Sequence, residues 1–435
     1  MTVKRALAAA LLASCVGAVP VSVNAQGLPV SKVPEEVGLS GERLKRLSAA
    51  MKSGVEKGEI PGAIVLIGRN GKVAYLETFG FRDREAKAPM KADAIFRIAS
   101  MTKPMVSLAI MMLAEEGKLA IANPVSRYLP EFKDLKVGVE KKKDDGTTEV
   151  VQEPVRREMT VQDLLRHTSG LTYGAPGRNP LKQAYVDAKV MDPGQTNEEM
   201  VAKLAKLSLV HQPGTVWEYS MSTDVLGRIV EVVSGMPLDK FIAERIAKPL
   251  KMPDTGFSAD AAKKDRAALA QNDPATGKPA PPLVPDITAD AKWKSGGGGM
   301  VSTASDYARF CQFWLNGGQL DGVRLVSRKT VELMTMDHLP PGTTIGPDMP
   351  TPFGALLPSP EMGQGFGLGF AVRTDQGRNP LPGSVGDYYW GGAYGTYFWI
   401  DPKEKLFAIL MMQAPAQRLP YRYLLRDLVY QAVVN

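Results

Sequence analysis

"AIVLIGRNGKVAYLETFG", residues 63–80, sets two apolar runs on either side of Asn70-Gly71. Asn-Gly between alternating apolar runs is the strongest short-range signal for a two-residue hairpin, because both central residues of that turn need positive φ. The C-terminal end mirrors it: "TYFWI" (396–400) and "LFAILMM" (406–412) flank the turn-like Asp401-Pro402-Lys403-Glu404-Lys405. Before the first hairpin, "SGERLKRLSAAMKSGVE" (40–56) has a capping serine, an acidic first turn and Leu44, Leu47 and Met51 on one face, which predicts an amphipathic helix. After the second, residues 421–434 carry helical spacing at Leu424, Leu425, Leu428 and Ala432. Helix then hairpin at one end, hairpin then helix at the other, predict one antiparallel sheet completed by both termini in an α+β chain.

The middle of the chain supplies helices over 102–116, 160–167, 197–206, 223–234, 238–246 and 305–316. Two Pro/Gly-rich stretches, 272–299 and 339–369, are too polar and broken for regular elements and are expected as loops around a cleft. No internal repeat or interdomain linker is visible. The expected division is a sheet part over about 37–95 and 290–435 and a mostly helical part over about 96–289.

The 435 residues, 44% hydrophobic and 23% charged, provide ample core for one large domain. The first 25 residues stand apart: Lys4 and Arg5, an apolar stretch from Ala6 to Val19, then Val23-Asn24-Ala25, which resembles a signal-peptidase site. The apolar stretch is too short to span a bilayer. Leu12-Ala13-Ser14-Cys15 also looks like a bacterial lipobox, which would put a lipid anchor on Cys15; cleavage after Ala25 is favoured because that site has its own upstream apolar run. Either route exports the chain, to the periplasm or the medium.

Loss of Lys4 and Arg5, with no acid in 1–25 to offset them, lowers the formal charge from +7 to +5. The excess is spread out, and Lys141-Lys142-Lys143 runs straight into Asp144-Asp145, a solvated hairpin tip and not a nucleic-acid patch. The mature chain keeps one cysteine, Cys311, in the apolar "FCQFW", so no intramolecular disulfide is expected. His167, His211 and His338 lie far apart and neither HExxH nor CxxC occurs, so no metal or other cofactor is implied. Nothing in the sequence specifies an oligomeric state.

Chemistry concentrates in "RIASMTKPM" (97–105). Lys103 follows Ser100 by three residues, one helical turn, so its amine would lie over the hydroxyl. The apolar run from Met105 to Leu113 predicts a buried helix whose N-terminus opens into a cleft. Burial pushes a lysine toward the neutral amine, which can accept a proton, and the helix N-terminus favours negative charge developing at the serine. Among all serines, only Ser100 has Lys three places on. Two further stretches join it. "GTVWEYSMSTDVLG" (214–227) puts Tyr219 in a turn before a helix, where a phenol can relay a proton. "YYWGGAYGTYFWI" (388–400) runs two glycines into a strand, letting a substrate lie against the backbone and use a main-chain N–H as oxyanion donor.

SxxK, then a tyrosine motif, then a strand with a residue-Gly-Gly element resembles the serine β-lactamase and penicillin-binding-protein superfamily, and within it the class C-like branch that contains the family VIII carboxylesterases. "FRIASMTKP", "LLRHTSGLTYG", "PGTVWEYS", "GGGGMVSTASDYARF" and "YWGGAYGT" carry the resemblance, which spans roughly residues 37–430. It implies an antiparallel sheet flanked by helices with a mostly helical region facing it across the active site. It also implies Ser100 as nucleophile, Lys103 and Tyr219 as the general-base pair, and an oxyanion hole from the backbone N–H groups of Ser100 and Ala393. The chain departs from the β-lactamase pattern at two places: Met221 stands where Tyr-x-Asn has its Asn, and Trp390-Gly391-Gly392 replaces Lys-Thr-Gly. Trp390 offers an apolar wall in place of a cation, so Trp390, Gly391, Gly392 and Met221 are expected to bind a neutral ester. His167 is the competing base of a Ser-His-Asp scheme, but no GxSxG elbow exists and "HTSG" looks structural in the family.

The expectation is an exported serine esterase hydrolysing short-chain carboxylic esters through an acyl-enzyme. One alternative keeps the nucleophile as a β-lactamase or D-amino-acid-specific peptidase, and another is an inactive cell-envelope binding protein.

Overall fold

Asn70 and Gly71 adopt φ of 52° and 77°, the left-handed pair that a tight hairpin demands. They join β1 (Gly62–Arg69) to β2 (Lys72–Asp83), and Gly62 lies opposite Gly80. The computed structural model describes residues 27–146, 148–174, 179–277 and 286–435; the leader, with Lys4, Arg5, Cys15 and Ala25, lies outside the described residues.

β1 and β2 are half of the expected design. The short β3 (Ala88–Pro89) extends that edge, and β4 (Gln364–Phe366), β5 (Ala371–Arg373), β6 (Tyr388–Gly391), β7 (Tyr397–Asp401) and β8 (Leu406–Met412) supply the rest. The order is β4-β5-β6-β7-β8-β1-β2-β3, antiparallel throughout. The two ends of the chain meet at the centre, where Ala63 faces Met412 and Arg69 faces Leu406. Both central strands are buried along their whole length, which is why they read as continuous apolar runs without alternation.

Burial of both faces requires helices on each side. α1 (Gly41–Glu56), capped by Ser40, turns Leu44, Leu47 and Met51 inward and packs with α5 (Arg418–Tyr430) on one side. The approach is close at Gly54, where a Cβ would stand 1.8 Å from the Tyr421 hydroxyl. A buried carboxylate, Asp387, accepts from Arg373 and Arg426 and ties α5 to the far half of the sheet. α4 (Ala304–Leu315) covers the opposite face, against β1 and β8. The mostly helical region is centred on α2 (Lys103–Glu115), buried from Lys103 to Leu113, which packs against α3 (Ser222–Ser234).

The 272–299 stretch forms no regular element among its described residues, as expected, and the basic-acidic tip joins paired strands over 136–142 and 148–154. The other loop departs from expectation. Within 339–369 lie the edge strand β4 and short helical turns, each too brief and too rich in Pro and Gly to show a period.

Candidate active site

Ser100 sits in a 3-10 turn, Ala99–Thr102, that feeds directly into α2. Ala99 holds φ at 44°, costly for a residue with a Cβ, and this bend presents the Ser100 side chain to a cleft while Lys103 stays 1% exposed. The Lys103 amine donates to three oxygens: Ser100 Oγ at 3.2 Å, the Tyr173 hydroxyl at 2.9 Å and the Gly297 carbonyl at 2.6 Å.

Gly297 is fixed from behind. Its N–H donates to Asp224 Oδ1 at 3.0 Å, which also accepts from Ser295. A Cβ on Gly297 would stand 2.3 Å from Asp224 Oδ2 and 2.8 Å from the Tyr173 hydroxyl, so this member of the Gly296–Gly299 run is a packing requirement. Burial raises the Asp224 carboxyl against the pull of Lys103. Burial, the Asp224 charge and Tyr219 hold the Tyr173 hydroxyl well above the ordinary phenol range, so it acts as a neutral O–H.

Tyr219 ends the stretch ahead of α3 and approaches Lys103 through its ring, with the amine 4.5 Å from the ring centroid. Its hydroxyl accepts from the Trp390 indole N–H at 3.2 Å. Trp390 also packs at 5.5 Å from Phe353 and 5.3 Å from Phe366, so it is both the apolar wall that the sequence suggests and a hydrogen-bond donor that a hydrophobic reading misses. The cleft has a volume of about 290 Å³, and Ser100, Tyr173, Tyr219, Trp390, Gly391, Gly392 and Ala393 line it. Gly392 donates its N–H to Thr396, and the Gly392–Gly395 turn leaves Ala393 exposed at the cleft.

The sequence-predicted residues therefore converge, with one correction. Met221 does not line the cleft: it stands at the N-terminus of α3, fully buried among the apolar side chains of the core. His167 is buried with its ring 4.8 Å from that of Tyr219, and burial with the nearby Lys103 charge holds it well below its ordinary pKa. Its contacts are Ser220 and aromatic rings, in keeping with a structural turn. Cys311 is core, and burial raises its thiol well above the usual range.

Sequence reasoning missed Tyr173, the tyrosine whose hydroxyl reaches Lys103. The signal was its place in "HTSGLTYG", a glycine-bounded turn within the stretch that carries the family resemblance. It also missed Lys182, buried on the cleft wall between Glu218 at 2.8 Å and Asp348 at 2.7 Å.

The site offers an accessible hydroxyl against a buried amine, two phenols and a glycine-rich strand end, and so can run acyl transfer through a covalent intermediate. Among the described residues no cluster of three or more His, Cys, Asp or Glu stands ready for a metal, and no helix is long and apolar enough to cross a membrane. A family model described as Beta-lactamase matches residues 47–431. An uncharacterized protein of Mycobacterium tuberculosis is 38% identical over 370 residues, covering 84% of this chain and 88% of that one. Esterase EstB of Burkholderia gladioli is 29% identical over 409 residues, 88% of this chain and 94% of that one. Among solved structures, EstCE1, described as a hydrolase with promiscuous acyltransferase activity, matches with a TM-score of 0.72 and 28% identity over 89% of this chain and 99% of that one.

Proposed function

Because the chain belongs to the beta-lactamase family, in its serine β-lactamase and penicillin-binding-protein superfamily and on the esterase side of it, we propose that it is an exported serine esterase cleaving short-chain carboxylic esters through an acyl-enzyme on Ser100. The observation that carries this is the 3.2 Å contact between the buried Lys103 amine and the Ser100 hydroxyl at the wall of a cleft faced by tryptophan where β-lactamases carry a lysine.

To act as base, Lys103 keeps two N–H groups on the Gly297 carbonyl and the Tyr173 hydroxyl and turns a lone pair to the Ser100 O–H, reversing the donation seen at 3.2 Å. Ser100 Oγ then attacks the ester carbonyl as Lys103 takes the proton, and the Ser100 and Ala393 amides hold the oxyanion. Collapse expels the alcohol, protonated from the Lys103 and Tyr219 pair. Water, deprotonated by the same pair, attacks the acyl-enzyme; on collapse the proton taken from it passes to the departing Ser100 Oγ and its other proton leaves on the acid, so ester and water become acid and alcohol.

The absence of a Lys-Thr-Gly cation and the Trp390 wall favour an ester over a β-lactam. The test is kcat/KM for p-nitrophenyl butyrate and for nitrocefin side by side, with Ser100→Ala as the blank. Fast, Ser100-dependent ester turnover with slow nitrocefin cleavage is expected; the reverse order would make it a β-lactamase, and activity that survives Ser100→Ala would overturn the nucleophile. Export is tested by the N-terminus of the protein recovered from cells, expected at Gln26.

A further inference from the structure

Three charged side chains on the cleft wall lie outside the acyl-transfer chemistry. Lys182, from the short helix Pro180–Asp187, is buried and donates to Glu218 Oε1 at 2.8 Å and to Asp348 Oδ2 at 2.7 Å. Glu218 is 1% exposed and stands directly before Tyr219. Its Oε1 also accepts from the hydroxyl of Thr172, the residue before Tyr173, at 3.1 Å, and its own N–H donates to the His167 carbonyl at 3.0 Å. Burial opposes the Lys182 charge, but Asp348 and Glu218 outweigh it and hold the amine above its ordinary pKa; burial likewise opposes the Glu218 charge, and His211 and Lys182 hold that carboxyl below the usual range. Taking such charges out of water offsets much of what their attraction returns, and what the bridge supplies is position.

The bridge is one rung of a ladder. Thr344 donates its N–H to the Thr215 carbonyl at 3.1 Å, Thr344–Ile345 pairs in parallel with Val216–Trp217, and Gly346 donates to the Trp217 carbonyl at 3.0 Å. At the next position the backbone contacts give way to Lys182 between Glu218 and Asp348, and one residue further the Tyr219 N–H donates to Met349 Sδ at 3.4 Å. A two-residue strand pairing is too short to hold by itself and a thioether is a weak acceptor, so the ion bridge is the strong rung beside Tyr219. Gly346 lets the two segments close up, because a Cβ there would run into Glu218 Oε2. Beyond the bridge the segment crosses to the sheet side. Phe353 packs at 5.4 Å from the Tyr219 ring and 5.5 Å from Trp390, Ala355 donates its N–H to the Tyr423 hydroxyl at 2.9 Å, and the Leu356 carbonyl accepts from the Tyr389 hydroxyl at 2.9 Å.

We infer that Lys182 is a positioning residue for the hydrolysis: through Glu218 on one side and Asp348 on the other it clamps the strap 344–353 to the segment ending in Tyr219, and so fixes the phenol on the proton path between Ser100 and the departing alcohol. Lys182 touches no reacting atom in this role and acts only through Tyr219. A shift of about 1 Å in a group of this kind can cost as much as about 10²-fold in rate, and a bridge made before substrate arrives removes that freedom. This deepens the esterase reading and rests on it.

The test measures kcat and KM for ethyl butyrate and p-nitrophenyl butyrate in wild type, Lys182→Met, Asp348→Ala, Tyr219→Phe and each of the first two combined with Tyr219→Phe. Lys182→Met should lower kcat for the ethyl ester about tenfold or more, with a smaller loss for the p-nitrophenyl ester, whose alcohol leaves without help, and little change in KM. Made in Tyr219→Phe, the same substitution should cost nothing further, because the relay it would misplace is already gone. Lys182→Met strips the buried Glu218 of its cation and can fail to fold. Asp348→Ala keeps Lys182 on Glu218 and alters a side chain that is 22% exposed, so it carries the same test with a loss of about two- to tenfold, the worth of one hydrogen bond, and thermal melts confirm that each variant is folded. A loss of equal size in the Tyr219→Phe background, or one equal for the two esters, makes the bridge a structural support and overturns the assignment, as does Asp348→Ala with wild-type kcat on both esters. Wild type that cleaves neither ester rejects the esterase reading instead; an active wild type whose Tyr219→Phe variant is unimpaired rejects the relay and this inference with it, so the failures are told apart.

Discussion

The Trp390 indole N–H donates to the Tyr219 hydroxyl at 3.2 Å, so a tryptophan supplies the donor that faces this tyrosine from the sheet. The contact ties strand β6 to the turn before α3 across the cleft, and it gives any negative charge on the phenol a hydrogen bond without placing a full cation there. Trp390→Phe keeps the ring and removes the N–H. It should lower kcat for a short p-nitrophenyl ester about two- to tenfold, the worth of one hydrogen bond, with a smaller change in KM. Steady-state kinetics settle it, and an unchanged kcat would reduce Trp390 to a wall. Trp390→Ala, which also opens the wall, should shift the preferred acyl chain.

Replacement of Lys103 tests the base. Lys103→Ala should cost about 10²- to 10⁴-fold in kcat/KM, the usual contribution of a positioned general base. Lys103→Arg should not restore it, because guanidinium keeps its proton at any working pH and its fork does not fit the Gly297, Tyr173 and Ser100 acceptors. Single-turnover acylation rates with a thermal melt for each variant separate lost chemistry from lost fold. An arginine variant as fast as wild type would show that charge alone, not proton transfer, is needed at this position.

Acid stability should depend on Asp163. Its side chain is fully buried; burial alone would raise its pKa, but Arg157, the Thr160 amide and Arg166 outweigh that and bring it to about 2 from an ordinary 3.8. A carboxylate depressed in the folded state contributes stability above its unfolded pKa and loses it as pH falls toward the folded one, here between about pH 4 and pH 2. Because Arg157 is 43% exposed, the contribution is about 1–2 kcal/mol and not the full Coulombic figure. Denaturant melts of Asp163→Asn should show lower stability at pH 7 and a shallower loss across that window; parallel curves for both proteins would sink the assignment.

Much of this arrangement was legible in the sequence because its signals are local. Asn70-Gly71 dictates a hairpin whatever surrounds it, and the unbroken apolar runs of β1 and β8 announce strands buried on both faces. Ser100 and Lys103 share one helical turn, so their contact follows from spacing. What stayed hidden depends on distant partners. Met221 stands only two residues after Tyr219 in sequence, yet it is fully buried in the core. Tyr173 reaches Lys103 across 70 positions. The strand β4, three residues long and containing glycine, has no period to detect.

The Asp387 cluster should dominate stability far from the chemistry. Asp387 is fully buried and accepts from Arg373 at 3.0 Å and Arg426 at 2.9 Å, and Arg426 also donates to the Tyr397 hydroxyl. Asp387→Ala would leave two buried guanidiniums without a counter-charge, at a cost of about 3–5 kcal/mol. Arg426→Met removes one cation and leaves Asp387 paired with Arg373, so it should cost less. Chemical denaturation gives both values, and an Asp387→Ala protein as stable as Arg426→Met would mean that water or a rearranged neighbour neutralises the arginines.

The two tyrosines at Lys103 can be told apart by their hydroxyls. Tyr173 meets the amine through oxygen at 2.9 Å, whereas Tyr219 meets it through the ring and keeps its oxygen for Trp390. Tyr173→Phe removes one of three acceptors around the amine and should cost about tenfold in acylation, because Gly297 and Ser100 still orient Lys103. Tyr219→Phe preserves the ring contact and deletes the proton relay, so it should cost roughly 10²-fold or more in kcat, with the larger loss for esters whose alcohol leaves least readily. Rates for a p-nitrophenyl and an alkyl ester of the same acid read this directly. If Tyr173→Phe proves the more damaging, and its loss grows with the basicity of the leaving alcohol, the proton path runs through Tyr173 and the pair assigned to Lys103 and Tyr219 must be redrawn.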